Sequence, residues 1–223
     1  AALRTFSLVV AEAVARGLPL ADAVTLFAVS AASIADAFIA TQYVKARYAS
    51  VRPLTVLQCG RHDAPLVAWA GPYAGVRPLT DGELWAPYRA TPGFPGYTSG
   101  HAAVAAAGSR ALARFFGPAD PPRGANCGVV PAGTSAREPR VEKGSLGYVA
   151  GVTDVPNGGP RTAGYSPAAD VTLCWASWWG YARAVAASRL AGGIHIPIDN
   201  ARGLALGVRA ADEVYAWVTA GMP

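Results

Sequence analysis

The 223-residue sequence has only two lysines, Lys45 and Lys143, and three histidines, His62, His101 and His195. It also lacks any basic run of the kind that grips nucleic acid: the formal charge is +5, but the arginines are scattered. That pattern excludes a nucleic-acid partner and favours small anions. No uninterrupted apolar run of about 18 residues is present. Asp22 and Asp36 interrupt the best stretch, from Leu18 to Val44, and arginines break those near Trp178 and Leu206. No membrane span is therefore expected, and the hydrophobic fraction of 52% comes largely from alanine. Three cysteines, Cys59, Cys127 and Cys174, show neither CxxC nor metal-ligand spacing, and their odd number leaves at least one unpaired within the chain. The opening "AALRTFSLVV" has no positive start followed by a clean hydrophobic core and cleavage site. No internal repeat is visible.

Helical periodicity is what the chain has in abundance. Apolar spacing predicts helices over roughly 3–16, 20–47, 100–116, 170–190 and 200–219. A single domain spanning 1–223 is expected, with a Pro- and Gly-rich insertion over 117–166 long enough to cover a site. In the second helix Leu20, Val24, Phe27, Ala31, Ile34 and Phe38 recur at spacings of four and three, which predicts a buried seam. Continued, that seam reaches Gln42 and Lys45. A lysine there either snorkels from a helix end or meets an anion, because a buried ammonium is costly alone.

The stretch "TPGFPGYTSGHAAVAAAGSRAL", residues 91–112, runs from a turn-rich approach straight into a helix. His101, Val104, Ala105, Gly108, Leu112 and Phe115 share one face, with Arg110 and Arg114 opposite, so His101 is expected to point inward in the first turn. Ser99 is the expected N-cap. The free N–H groups behind it and the positive end of the helix dipole form an anion cradle, although a capping serine followed by a core histidine fits this segment equally well. In the fourth helix Trp175, Trp178, Ala182 and Val185 bring Arg189 onto the inward face and leave Arg183 outward. Trp175, Trp178 and Trp179 read as core or subunit interface. The text "GIHIPID" then sets His195 in a short connection and Asp199 at the start of the last helix. Asp199 is either an N-cap or the carboxylate that fixes the tautomer of His195. His62, in the loop "CGRHDAP", reads as a surface or structural residue.

Three ordered stretches resemble the motifs of one superfamily, which joins type 2 phosphatidic acid phosphatases, bacterial class A acid phosphatases and vanadium-dependent haloperoxidases. The first motif, K-x6-R-P, matches "KARYASVRP" from Lys45 to Pro53. P-S-G-H matches "TSGH" from Thr98 to His101, with threonine where proline is usual. S-R-x5-H-x3-D matches "SRLAGGIHIPID" from Ser188 to Asp199. The 86 residues between His101 and Ser188, and the approach "LWAPYRATPGFPGYTSGHA", are similar to the bacterial haloperoxidase branch.

The resemblance implies an all-α helical bundle of the acid phosphatase and vanadium haloperoxidase type, binding vanadate, with phosphate able to occupy the same site. It implies that Lys45, Arg52 and Arg189 neutralise the anion's oxygens, that Ser99 Oγ and the Gly100 N–H add hydrogen bonds, and that His195, supported by Asp199, ligates vanadium. His101 would transfer protons to peroxide, so that a His-ligated peroxovanadate oxidises halide with hydrogen peroxide. Phe94 corresponds to an aromatic position of the oxidant pocket, and Gln42 stands where tryptophan is common, which alters the halide side. With a phosphate ester in the same cradle, His195 would instead be the nucleophile and His101 the acid. Members of the family often pair, so a homodimer is among the expected assemblies.

Other classes fit less well. A G-x-S-x-G elbow would need serine at 98 and a buried strand before it. Zinc ligation by His101, His195 and Asp199 lacks compact spacing and would sit among three cations. A non-catalytic oxyanion-binding module remains the alternative outside enzymes.

Overall fold

The computed structural model describes residues 2–61, 64–71, 76–118, 122–123, 127–132, 167 and 169–221. His62 and most of the 117–166 insertion lie outside the described residues. Six helices carry the fold: α1 (Ala2–Ala15), α2 (Leu20–Tyr48), α3 (Pro53–Gly60), α4 (Gly100–Phe116), α5 (Trp178–Ala191) and α6 (Pro197–Gly221). The all-α class expected from sequence is the observed one, with two short hairpins added. β1 (Leu66–Trp69) pairs antiparallel with β2 (Val76–Leu79), and β3 (Cys127–Val130) with β4 (Val171–Cys174).

The chain sorts into two compact units. One comprises Ala1–Pro53, Thr91–Asn126 and Trp175–Pro223; the other comprises Leu54–Ala90 and Cys127–Cys174. The second unit holds both hairpins and the rest of α3. Gln58 donates to the Trp85 carbonyl at 3.1 Å, and Cys127 bonds to Cys174 across the β3–β4 register. Cys59 is the free, exposed thiol.

In the helical unit α4 lies at the centre, packed on α1, α2, α5 and α6. Every residue from Ala102 to Ser109 is buried, so α4 has no solvent stripe along those two turns. Small side chains make this possible. A Cβ on Gly203 of α6 would stand 2.5 Å from the Ser99 carbonyl oxygen, and one on Gly207 would stand 2.0 Å from that of Ala103. Only glycine lets the two backbones approach so closely. Larger groups fill the space on either side: Leu8, Val9, Leu26, Leu112, Trp178 and Tyr181 form the main cluster, and Val29, Ala111, Val214 and Val218 a second.

That packing corrects the seam expected on α2. Leu20, Val24 and Phe38 are exposed, as is Ala31, whereas the buried face runs through Leu26, Val29, Ser30, Ser33, Ile34, Ala37, Thr41 and Lys45. Hydrophobic size pointed to the wrong side, because the partner α4 is lined with alanine and needs small neighbours. Ser33 and Thr41 are buried at no hydrogen-bond cost, each hydroxyl donating at 2.7 Å to the carbonyl four residues back. The stretch Leu20–Gly60 holds an 18-residue window of mean hydropathy 1.9. By length and composition it passes the test for a membrane span, as the packed core helix of a bundle also does. The expected helix over 170–190 also begins later, at Trp178. Residues 171–174 form a strand instead, and Ser177 caps α5 by accepting from the Gly180 N–H at 3.0 Å.

Candidate functional site

The last turn of α2 delivers Lys45, and the break after it delivers Arg52. Ala49 takes a left-handed conformation, φ 46° and ψ 35°, with its N–H on the Lys45 carbonyl, a common way to end a helix and turn the chain. The loop before α4 is tied to that break. Gly96 N donates to the Ser50 carbonyl at 3.1 Å, Tyr97 N donates to Ser50 Oγ at 2.7 Å, and the Tyr48 and Tyr97 rings meet edge to face. Backbone carbonyls of this loop receive the two cations. Lys45 Nζ donates to Pro95 O at 2.7 Å and Gly96 O at 2.9 Å; Arg52 Nε donates to Phe94 O at 3.0 Å and Nη1 to Ile194 O at 2.7 Å.

His195 arrives from the opposite side. α5 ends at Ala191, and Gly193, at φ 70°, turns the chain so that His195 precedes α6. Its Nδ1 lies 2.8 Å from Asp199 Oδ2, which also accepts from the Ile196 N–H at 3.3 Å. Asp199 thus takes the second of the two roles left open by the sequence: it lies inside the first turn of α6 rather than at its N-cap, with its carboxylate on His195. Its backbone carbonyl takes the Ser99 N–H at 2.9 Å, fixing the start of α4 to the start of α6. Gly96 sits against this group: a Cβ there would come within 3.3 Å of Asp199 Oδ2.

Burial sets the electrostatics. Desolvation, with the Arg52 guanidinium beside it, pulls the Lys45 ammonium down to about 8, while Asp199 opposes the shift. Burial also lowers His195 below the usual imidazole value, against the hydrogen bond that its Nδ1 donates to Asp199. A neutral His195 then carries its proton on Nδ1 toward Asp199. Nε2 is left as the acceptor, 3.1 Å from Arg52 Nη1.

These groups meet at a cavity of about 250 Å³ lined by Lys45, Arg52, Gly100, His101 and His195, with Gln42, Phe38 and Phe94 on its less polar side. Phe94 is 50% exposed, its ring centre 5.4 Å from Lys45 Nζ and 5.2 Å from Arg52 Cζ. Arg52 Nη2 is buried without a hydrogen-bond partner. Lys45 Nζ has three hydrogens and uses two on carbonyls. The donor set is therefore two cations with hydrogens to spare and a helix N-terminus, which fits a tetrahedral oxyanion, and beside it stands the His195 Nε2 lone pair, met here by Arg52 Nη1.

Several expectations need correction. His101 is exposed rather than inward, although it does line the cavity. Ser99 is the N-cap, buried, with Oγ accepting from the Ala102 N–H at 3.4 Å, and stands behind the cavity wall rather than in it. Arg189 is part-buried, its Nε donates to Ser188 Oγ at 3.1 Å, and it does not line the cavity. Sequence reasoning missed Phe38 as a lining residue, having assigned it to the core, and missed the carbonyls of Phe94, Pro95, Gly96 and Ile194. The Pro and Gly run of that loop is the only signal for exposed backbone acceptors.

A central buried helix whose N-terminus opens on a cationic, imidazole-bearing cavity is an arrangement that suits an oxyanion. The chain belongs to the family described as the VCPO second helical-bundle domain, whose model matches residues 25–222. It is similar to the holo form of a bacterial vanadium-dependent chloroperoxidase, with a TM-score of 0.67 and 22% identity over 86% of this chain and 35% of that one. The apo form of a bacterial chloroperoxidase gives 0.68 and 22% over 87% and 36%. A bacterial vanadium-dependent iodoperoxidase gives 0.60 and 22% over 95% and 37%. The chain thus spans just over a third of the length of these relatives, and at this identity they establish the fold. No curated protein matches it.

Proposed function

We propose that this chain carries the oxyanion site of a vanadate-dependent haloperoxidase, which oxidises halide with hydrogen peroxide. The observation that carries the reading is the convergence of Lys45, Arg52 and His195 on one small cavity, with Arg52 Nη2 buried and unpartnered. Lys45, Arg52 and the Gly100 N–H would hold the anion's oxygens and neutralise their charge. Fixed donors of this kind need no reorganisation when charge develops. His195 Nε2 would face the anion's central atom, with Asp199 keeping the ring's proton on Nδ1. Bound vanadate supplies a Lewis-acid centre that activates peroxide. His101, at the exposed edge, would take a proton from incoming peroxide, and Phe94 and Gln42 would bound the halide side. Arg189 would contribute to the cradle only after a change of side-chain position, since it now engages Ser188.

A second reading is favoured by the neutral, Asp199-oriented His195. Its Nε2 would attack a phosphate ester's phosphorus as the bond to the leaving oxygen breaks, and His101 would protonate that oxygen. Purified protein assayed with orthovanadate, peroxide and bromide, and separately without vanadate on an aryl phosphate, distinguishes the two. Bromination that requires vanadate supports the first; ester hydrolysis inhibited by vanadate supports the second. Neither activity, with no vanadate binding, leaves a non-catalytic module.

A further inference from the structure

A second cavity, of about 390 Å³, opens beside α4 and shares no lining residue with the first. Its walls come from Ser109 and Arg110 of α4, the start of α5 at Ser177, Trp178 and Trp179, and Val208 of α6. Ser109 lies eight residues beyond His101 on α4, about 12 Å along the axis.

Two of the residues that line it carry a buried polar atom without a partner. Ser109 is 1% exposed and Trp178 2%, and neither Ser109 Oγ nor Trp178 Nε1 has a hydrogen-bond partner. Ser109 does not return its hydroxyl to its own helix as Ser33 and Thr41 do. Buried polar groups are paired in nearly all folded proteins, so two orphans on one cavity point to a partner from outside the chain. The chemistry of that partner follows from what surrounds it. An indole N–H can only donate, so the incoming atom must accept. α5 directs the positive end of a 14-residue helix into the same space, and its N-cap Ser177 lines it. Arg110 and Arg114 share the single carboxylate of Asp212, through Nε at 2.8 and 3.2 Å, which leaves one positive charge in excess. Trp179, 44% exposed, and Val208 supply an apolar surface beside these donors.

We propose that this cavity is a separate ligand site for a small aromatic carboxylate. The carboxylate would accept from Trp178 Nε1 and Ser109 Oγ near the α5 N-terminus and Arg110, with the aromatic body against Trp179 and Val208.

Isothermal titration of the full chain with 2-naphthoate tests this, with 2-naphthalenemethanol as the uncharged control. One naphthoate should bind per chain, about tenfold or more tighter than the alcohol, since hydrogen bonds to a charged acceptor are the stronger ones. Ser109→Ala should weaken naphthoate roughly fivefold and leave the melting temperature equal or higher, because the hydroxyl it removes has no partner to lose. Trp178→Phe should weaken it similarly, and if that variant fails to fold, Ser109→Ala still decides. Arg52→Ala, which disables the first cavity, should leave naphthoate binding unchanged. Absence of naphthoate binding, equal affinity for the alcohol, or loss of binding in Arg52→Ala but not in Ser109→Ala would each overturn the proposal.

Discussion

The two walls of the first cavity are built differently. On one, Lys45, Arg52 and His195 are buried, and each is tied to a backbone carbonyl or to Asp199. On the other, His101 and Phe94 are exposed and Gln42 is part-buried. The first wall has positions fixed before any ligand arrives, which suits an anion that stays. The second faces solvent, where a small co-substrate or a proton can come and go. The contrast teaches that affinity and turnover should separate by wall, and mutation can test the separation.

The largest effect is expected from His195→Ala. It removes the Nε2 acceptor and leaves Asp199 Oδ2 buried without its imidazole. Vanadate binding and any turnover should both fall below detection, and equilibrium binding together with bromination and aryl phosphate assays would check it. Retained activity would take His195 out of the mechanism and erase the distinction between the walls.

His101→Ala should act on rate alone. Loss of a general acid or base costs about 10²- to 10⁴-fold in kcat. Vanadate affinity should move by less than about threefold, since His101 belongs to the exposed wall. A matching loss of affinity would mean that the two walls act as one.

Asp199→Asn is expected to be milder, because the residue acts through His195. Replacing a group that orients a ligating histidine typically costs 10- to 100-fold in affinity or activity. The buried wall should keep its shape, with the Ser99 N–H still on the backbone carbonyl of residue 199. The loss should therefore appear in kcat and vanadate affinity, with little change in binding of sulfate, which makes no bond to an imidazole through its central atom.

Much of this architecture was legible in the sequence, and the reasons for the misses are physical. The motif spacings picked out Lys45, Arg52, His101 and His195, which do line one cavity, because residues at helix ends keep their place relative to the cap or turn beside them. Helix identity was readable for the same reason. The buried face of α2 was not, since a rule that ranks faces by apolar size fails where the neighbour is an alanine-lined helix and glycines set the spacing. Arg189 was assigned inward from helical phase alone, and phase does not fix where a long, flexible side chain ends. The hairpin at 171–174 depends on pairing with β3, more than 40 residues earlier, and no local pattern reports that.

The smallest predicted effect uses pH to separate the buried wall's charge from its shape. Lys45 is lowered to about 8 in the folded chain, from 10.5. Its ammonium is therefore present below pH 8 and lost above it, and anion affinity should fall in that direction. Sulfate is a suitable probe because it does not titrate in this range. Loss of one charge-assisted bond predicts about tenfold weaker sulfate binding at pH 9.5 than at pH 7. Stability should run the opposite way. Between pH 8 and 10.5 the unfolded chain binds more protons than the folded one at this residue, so its contribution to stability rises with pH. Calorimetric sulfate titrations and thermal melts of the ligand-free chain across pH 7–10 measure both slopes, and Lys45→Met should flatten the two together. Sulfate affinity that stays level in the wild-type chain would mean that Lys45 does not charge this wall, leaving Arg52 as its cation.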